Sequence, residues 1–335
     1  MSQQPLILDF LNGTRPEAIP FMPIFMRFAA RFGKVPYREF CLDTQAHCQA
    51  NLETAKAFSS DWVNVMSDPY AESEVFGAKI HYPEDSLPQE SGHALLDLDA
   101  FPECTPEDFL ASARIAGRIE QIAFFSRHNP ENLLICGWVE GPLAEYCDLR
   151  GMSDAFLDLY DQPKKVHEII DKTMHLAMLF IEKQIQAGAH CIGIGDAACS
   201  QCGLKFYREF AFPWEKKLVA HIHHLGAITK LHICGNTTAI LPDMIATGAD
   251  IVDIDHLVKD MTPFVPLLSP HQKLCGNLDP VAIIQDMQPE QIKAAARKAL
   301  AQAPGKLILS GGCEITPDTP AANVLALAEL ARRCY

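Results

Sequence analysis

Ala227-Ile-Thr-Lys-Leu-His-Ile-Cys-Gly235 is an apolar, β-rich run that ends at a glycine. Stretches of helix length flank it, 205–225 before and 237–247 after, and another apolar run follows at 250–254. Strand, helix and strand in that order describe a parallel pair, because a parallel neighbour is reached only through a long crossover. The same unit recurs outward in both directions. Further runs lie at 20–26, 62–66, 132–139 and 190–195 on one side and at 272–276 and 306–310 on the other, making eight candidate strands. Amphipathic stretches at 44–58, 163–187, 289–303 and 320–334 alternate with them, and Asp161-Gln-Pro and Gln288-Pro-Glu read as helix starts with proline in the first turn.

The expected fold is therefore α/β, a (β/α)8 TIM barrel formed as a single domain by residues 1–335. An open doubly wound sheet calls for a glycine-rich phosphate turn after the first strand, and Arg27-Phe-Ala-Ala-Arg31 is not one. The stretch 70–127 is longer than one crossover needs. It is expected to add a lid between strands two and three, containing a helix at 106–119.

Composition narrows the class. Of 335 residues 48% are hydrophobic and 21% charged, enough for a sizeable core, and the formal net charge of -14 argues against nucleic acid or an anionic membrane as partner. There is no internal repeat, no basic leader before an apolar run, and no stretch of ~18 uncharged apolar residues. The chain reads as soluble and cytoplasmic, with its twelve irregularly spaced cysteines mostly reduced and a few available for metal.

In a barrel the chemistry sits where strands end. Those positions carry Arg27 and Arg31, Asp68, Glu140, Asp196, His232 and Cys234, Asp253 and Asp255, Asn277 and Asp279, and Cys313. Residues two apart on a strand share a face, so His232 and Cys234 offer an imidazole nitrogen and a sulfur to one ion, with Gly235 allowing a sharp turn beside them. A bare His-x-Cys is also compatible with two buried residues that merely pack. Ser310-Gly-Gly-Cys313, a cysteine at a turn after the last strand, favours the metal reading. Three N and S ligands suit Zn2+, and three with an exchangeable position form a catalytic rather than a structural arrangement. Asp255 is either a weak fourth ligand or a solvated loop carboxylate. Cys199-Ser-Gln-Cys202, the single CxxC pair, has neither a partner pair nor a visible active-site helix start and reads as coincidence; His221, His223 and His224 read as helix surface and packing residues.

Leu231-His-Ile-Cys-Gly235, Gly276-Asn-Leu-Asp-Pro280, and Gly312-Cys-Glu-Ile-Thr-Pro317 followed by Pro320-Ala-Ala-Asn323 resemble the uroporphyrinogen decarboxylase superfamily, and within it the methylcobamide:coenzyme M methyltransferases. The likeness spans about residues 20–334 and implies a (β/α)8 barrel. Met26-Arg-Phe-Ala-Ala-Arg31 keeps the decarboxylases' arginine pair, and Ser67-Asp68 resembles the segment with their essential aspartate. Two departures point away from decarboxylation: Asp148 stands where those enzymes have tyrosine, and Cys313 where they have histidine. The methyltransferase branch, with its His-x-Cys and distant Cys, implies Zn2+ on His232, Cys234 and Cys313. It further implies a methylcorrinoid donor on a corrinoid-carrying protein and a small thiol or a folate as acceptor. On this reading Asp68 joins the catalytic group, and Arg27, Arg31, Asp196 and Asn277 are candidate substrate contacts, the arginines alternatively pairing with lid carboxylates. The competing expectations are a metal-free tetrapyrrole decarboxylase and a non-catalytic corrinoid- or tetrapyrrole-binding protein.

Overall fold

Strands buried on both faces need nearly continuous apolar sequence, and Leu134–Glu140, apolar up to its final Glu140, and Cys191–Gly195 meet that demand and are buried at every position. The computed structural model describes residues 5–15 and 17–332. Its main sheet is parallel and seven-stranded: β1 (Trp62–Asn64), β4 (Leu134–Glu140), β5 (Cys191–Gly195), β6 (Ile228–Ile233), β7 (Ile251–Ile254), β8 (Lys273–Leu278) and β9 (Leu307–Gly311), neighbours in that order. A separate antiparallel hairpin pairs β2 (Lys79–His81) with β3 (Gln89–Gly92).

Seven of the eight expected strands are thus present, within a few residues of their expected bounds. The eighth, 20–26, is not a regular strand. It makes isolated parallel bridges from Phe21 to Leu309 and from Ile24 to Glu314, and the Phe21 carbonyl accepts from Asp61 N–H at 2.9 Å. This segment therefore touches both outer ends of the sheet, β9 on one side and the residue before β1 on the other. Pro20 and Pro23 explain the irregularity, since neither has an N–H to give to a ladder.

Helices Thr44–Phe58, Pro163–Gln186 and Pro289–Gln302 lie where the patterning places them. The last helix is Ala321–Arg332, and positions 333 and 334 of its expected range fall outside the described residues. Two expectations need correction. The 106–119 helix is two, Pro106–Ala111 and Ala113–Arg127, separated at extended Ser112. The 205–225 helix is Phe212–His224 preceded by a π-turn at Tyr207–Ala211, because Pro213 lacks the N–H that a continuous helix would use. Residues 70–127 hold the hairpin and these two helices, of which Ala113–Arg127 packs on β4 as an ordinary crossover would. No helix among the described residues is long and apolar enough to cross a membrane.

The core fills the inside of the curled sheet and the layer between sheet and helices. Inside, the Trp138 ring lies across β5. A Cβ on Gly193 would sit 2.3 Å from that ring and one on Gly195 2.7 Å, so the alternating glycines of Cys191-Ile-Gly-Ile-Gly195 make room for the indole. Gly193→Ala is expected to destabilise the protein by ~1–3 kcal/mol through overpacking, measured as a lowered urea midpoint.

Candidate metal centre

The two-residue stride of β6 puts Lys230, His232 and Cys234 on one face, and its register sets His232 beside Asp253 of β7. His232 Nδ1 lies 2.8 Å from Asp253 Oδ2, and the ammonium of Lys230 bonds the same oxygen. Lys230 and Asp253 are fully buried, with the lysine head 5.2 Å from the Trp62 ring centre and 5.8 Å from that of Trp138. Burial works to raise the Asp253 pKa, but Lys230 and His232 outweigh it and hold the carboxylate down at about 2. For His232 burial works downward, and Asp253 more than reverses it, to about 9. Asp253 thereby fixes the ring with Nε2 facing the cavity. Metal loading at Nε2 displaces a proton.

His232 Nε2 is 2.9 Å from Cys234 Sγ, and Cys234 Sγ is 3.4 Å from Cys313 Sγ. The three donor atoms lie within 4.8 Å of one another. Both thiols are free. Hydrogen bonding from Cys234, aided by His232, takes the Cys313 thiol well below its usual pKa, whereas sharing with Cys313 and burial push Cys234 well up. One sulfur is thus predisposed to be a thiolate. Gly235, at φ +88°, turns the chain directly after Cys234, and a Cβ there would meet Ser200 Oγ at 2.6 Å. One imidazole nitrogen and two sulfurs on rigid strand ends, with a carboxylate behind the imidazole, fit a zinc-class ion.

The donors line a cavity of about 330 Å³ whose other walls include Ile24, Met26, Met66, Asp68, Tyr70, Leu87, Pro88, Trp138, Glu140 and Glu314. Of the residues expected from sequence, His232, Cys234, Cys313 and Asp68 are brought together here. Asp68 is buried, accepts from Ser67 Oγ at 2.6 Å and pairs with Arg114; burial alone would raise its pKa, but Arg114 and Arg118 keep it below the usual carboxylate value. Glu140 is the opposite case. Burial, then Glu72 and Asp148, push its pKa well up, and Trp138 Nε1–H donates to it at 3.0 Å. Asp148 is likewise pushed well up, first by burial and then by Glu90, Glu72 and Asp68.

The other expected residues lie elsewhere. Asp255 is not in the donor cluster: its Oδ2 accepts from Gly235 N–H at 2.7 Å and its Oδ1 from His256 N–H at 2.5 Å, so it shapes the turn after β6. Arg27 is engaged by Glu314, with Nη2 to Oε2 at 3.0 Å, and Arg31 pairs with Asp318. Those partners follow the last strand, not the lid. Asn277 donates to the Val258 carbonyl at 2.7 Å, and Asp196 accepts from Ala144 N–H at 2.7 Å within a separate buried cluster with Cys199 and Glu215. Burial raises the Asp196 pKa to about 6. Sequence reading misses Trp138, Leu87, Pro88 and Glu314 as cavity walls. Trp138 could have been found, since it lies two residues before Glu140 on the same strand face.

The family model for uroporphyrinogen decarboxylase (URO-D) matches residues 2–334. The chain belongs to the uroporphyrinogen decarboxylase family. Within that family it is similar to the methylcobamide:CoM methyltransferase MtbA of Methanosarcina mazei, 32% identical over 279 residues that make up 81% of this chain and 79% of that protein. It is also similar to the uroporphyrinogen decarboxylase of Koribacter versatilis, 25% identical over 96% of this chain and 94% of that one. Among solved structures, a methyltransferase from Methanosarcina mazei superposes with a TM-score of 0.88 at 22% identity, covering 98% of this chain and 97% of the other, which supports the family's α/β fold.

Proposed function

We propose that the protein is a zinc-dependent methyltransferase that moves a methyl group from a methylated corrinoid to a small thiol such as coenzyme M, or to a folate. The observation that carries this reading is the convergence of His232 Nε2, Cys234 Sγ and Cys313 Sγ at the wall of a largely apolar cavity. The similarity to MtbA adds to it. We further take the segment 20–24 to close the seven strands into a (β/α)8 barrel, the whole chain to be one domain, and 70–127 to supply a lid through Leu87 and Pro88. A cytoplasmic location accords with the absence of a membrane-length helix among the described residues.

Bound on the three donors, Zn2+ would lower the pKa of an acceptor thiol enough to present it as a thiolate at neutral pH. The chain's own residues do the rest. Met26, Met66, Leu87 and Trp138 would exclude water from the methyl group. In the transfer the acceptor's S–C bond forms as the Co–C bond breaks, the electron pair leaves with cobalt as Co(I), and the thiol proton has already gone to solvent. The acceptor thiol would join His232, Cys234 and Cys313 on the metal, while Asp255 holds the Gly235 turn. A corrinoid-carrying protein would dock over the cavity mouth.

Mixing the zinc-loaded protein with methylcobalamin and coenzyme M should convert the methyl-cobalt spectrum to that of Co(I), and removal of the metal should stop it. Absence of demethylation with any small thiol or folate overturns the proposal. Metal-independent loss of CO2 from uroporphyrinogen would replace it by the decarboxylase reading, for which the placement of Asp68 in the cavity is the favourable observation.

A further inference from the structure

A second cluster of donor atoms lies away from the cavity. Asp196 follows β5, Cys199 begins the helix Cys199–Phe206, and Glu215 lies in the first turn of Phe212–His224. One ligand atom from each, two carboxylate oxygens and a sulfur, fall within 4.8 Å of one another, and the residues are 0%, 1% and 0% exposed. Glu215 Oε2 accepts from the Tyr207 hydroxyl at 2.5 Å, and its buried Oε1 meets no N–H or hydroxyl donor. Asp196 Oδ1 accepts from Ala144 N–H and Oδ2 takes a 3.5 Å contact from Leu143 N–H; beyond these, the Asp196 carboxyl interacts with Glu215 and Cys199.

Among the described residues no cation answers these groups: neither Asp196 nor Glu215 forms an ion pair, and Arg208 and His221, on the same chain segments, are committed to Asp243 and Glu182. Buried carboxyls in that position take up either protons or a metal ion. No N–H or hydroxyl reaches Glu215 Oε1, only the facing Asp196 carboxyl, and the Cys199 sulfur beside them completes a set of three donors that one metal ion would satisfy together. The π-turn at Tyr207–Ala211 is part of the same construction, since it carries the hydroxyl that steadies Glu215.

We propose that Asp196, Cys199 and Glu215 form a second metal site, for a borderline divalent cation of the zinc class, with one sulfur and two oxygen ligands. Its role is structural. It ties the end of β5 to two helices immediately behind β6, where Asp196 N–H donates to the His232 carbonyl at 3.0 Å. Cys202 stands outside the triad, its thiol turned to the Cys199 carbonyl at 3.4 Å. The site is independent of the cavity donors and of the activity proposed for them.

The test uses the full chain with Cys234→Ser and Cys313→Ser together, so that two cavity donors are gone. After Zn2+ loading and gel filtration, elemental analysis should find about one zinc per chain, lost when Glu215→Gln is added. Loaded instead with Co2+, the double variant should show a near-ultraviolet thiolate-to-cobalt band that Cys199→Ser abolishes. A double variant that holds no metal overturns the site, as does one whose metal survives both Glu215→Gln and Cys199→Ser. Should the added substitutions prevent folding, chelator addition to the double variant serves the same purpose: a lowered melting temperature supports the site, and an unchanged one overturns it.

Discussion

Cys313→Ser is expected to abolish methyl transfer to within background while leaving the fold intact, with zinc affinity falling by at least ~100-fold. Cys313 is one of the two sulfurs of the donor cluster, and it lies just beyond the end of β9, outside the strand ladder. A serine hydroxyl is a poor zinc ligand at neutral pH, so the remaining His232 and Cys234 would bind weakly. Equilibrium dialysis with a chromophoric zinc indicator and a methylcobalamin demethylation assay measure the two effects. Retained activity in Cys313→Ser would remove the site from the mechanism.

Asp253→Ala is expected to act on stability and metal binding together. It leaves Lys230 charged and unpaired at full burial between Trp62 and Trp138, which costs ~3–5 kcal/mol, and it deprives His232 of the partner that orients its ring, which lowers zinc affinity by ~10–100-fold. A second substitution tests the cause. Lys230→Met combined with Asp253→Ala removes both charges and should recover most of the stability in urea titration, but not the metal affinity. If the double variant is as unstable as the single one, lost packing rather than the orphaned ammonium is responsible.

Much of this was legible because of one rule of parallel sheets, that both faces are covered, so β4 to β9 appear as mostly apolar runs, broken by a few buried polar residues such as Lys230, His232 and Asp253. The same rule fails at 20–26, where composition is right but two prolines cannot join a ladder. At the site, the spacing of His232 and Cys234 is a local fact of strand geometry, and Cys313 could be added because the end of a last strand returns to the mouth. What a strand end does not reveal is which way its side chain turns. Asp196 and Asn277 are where the reading puts them, yet neither faces the cavity donors: Asp196 joins Cys199 and Glu215 in a separate buried cluster, and Asn277 donates to the Val258 carbonyl. Arg27 and Arg31 likewise find carboxylates 287 residues along the chain, a pairing no local pattern encodes. The buried trio of Asp196, Cys199 and Glu215 was invisible for the same reason, its members coming from a strand end and two helices.

The stride of β6 has a consequence for how this sequence tolerates change. Lys230, His232 and Cys234 run outward along one face, from an ion pair deep in the core to a thiol lining the cavity. Electrostatic anchor, imidazole and sulfur are thus three marks on one ruler, and a single inserted or deleted residue upstream in the strand would turn all three toward the helices at once. Substitution can tune this centre one group at a time. A change of length in β6 can only erase it.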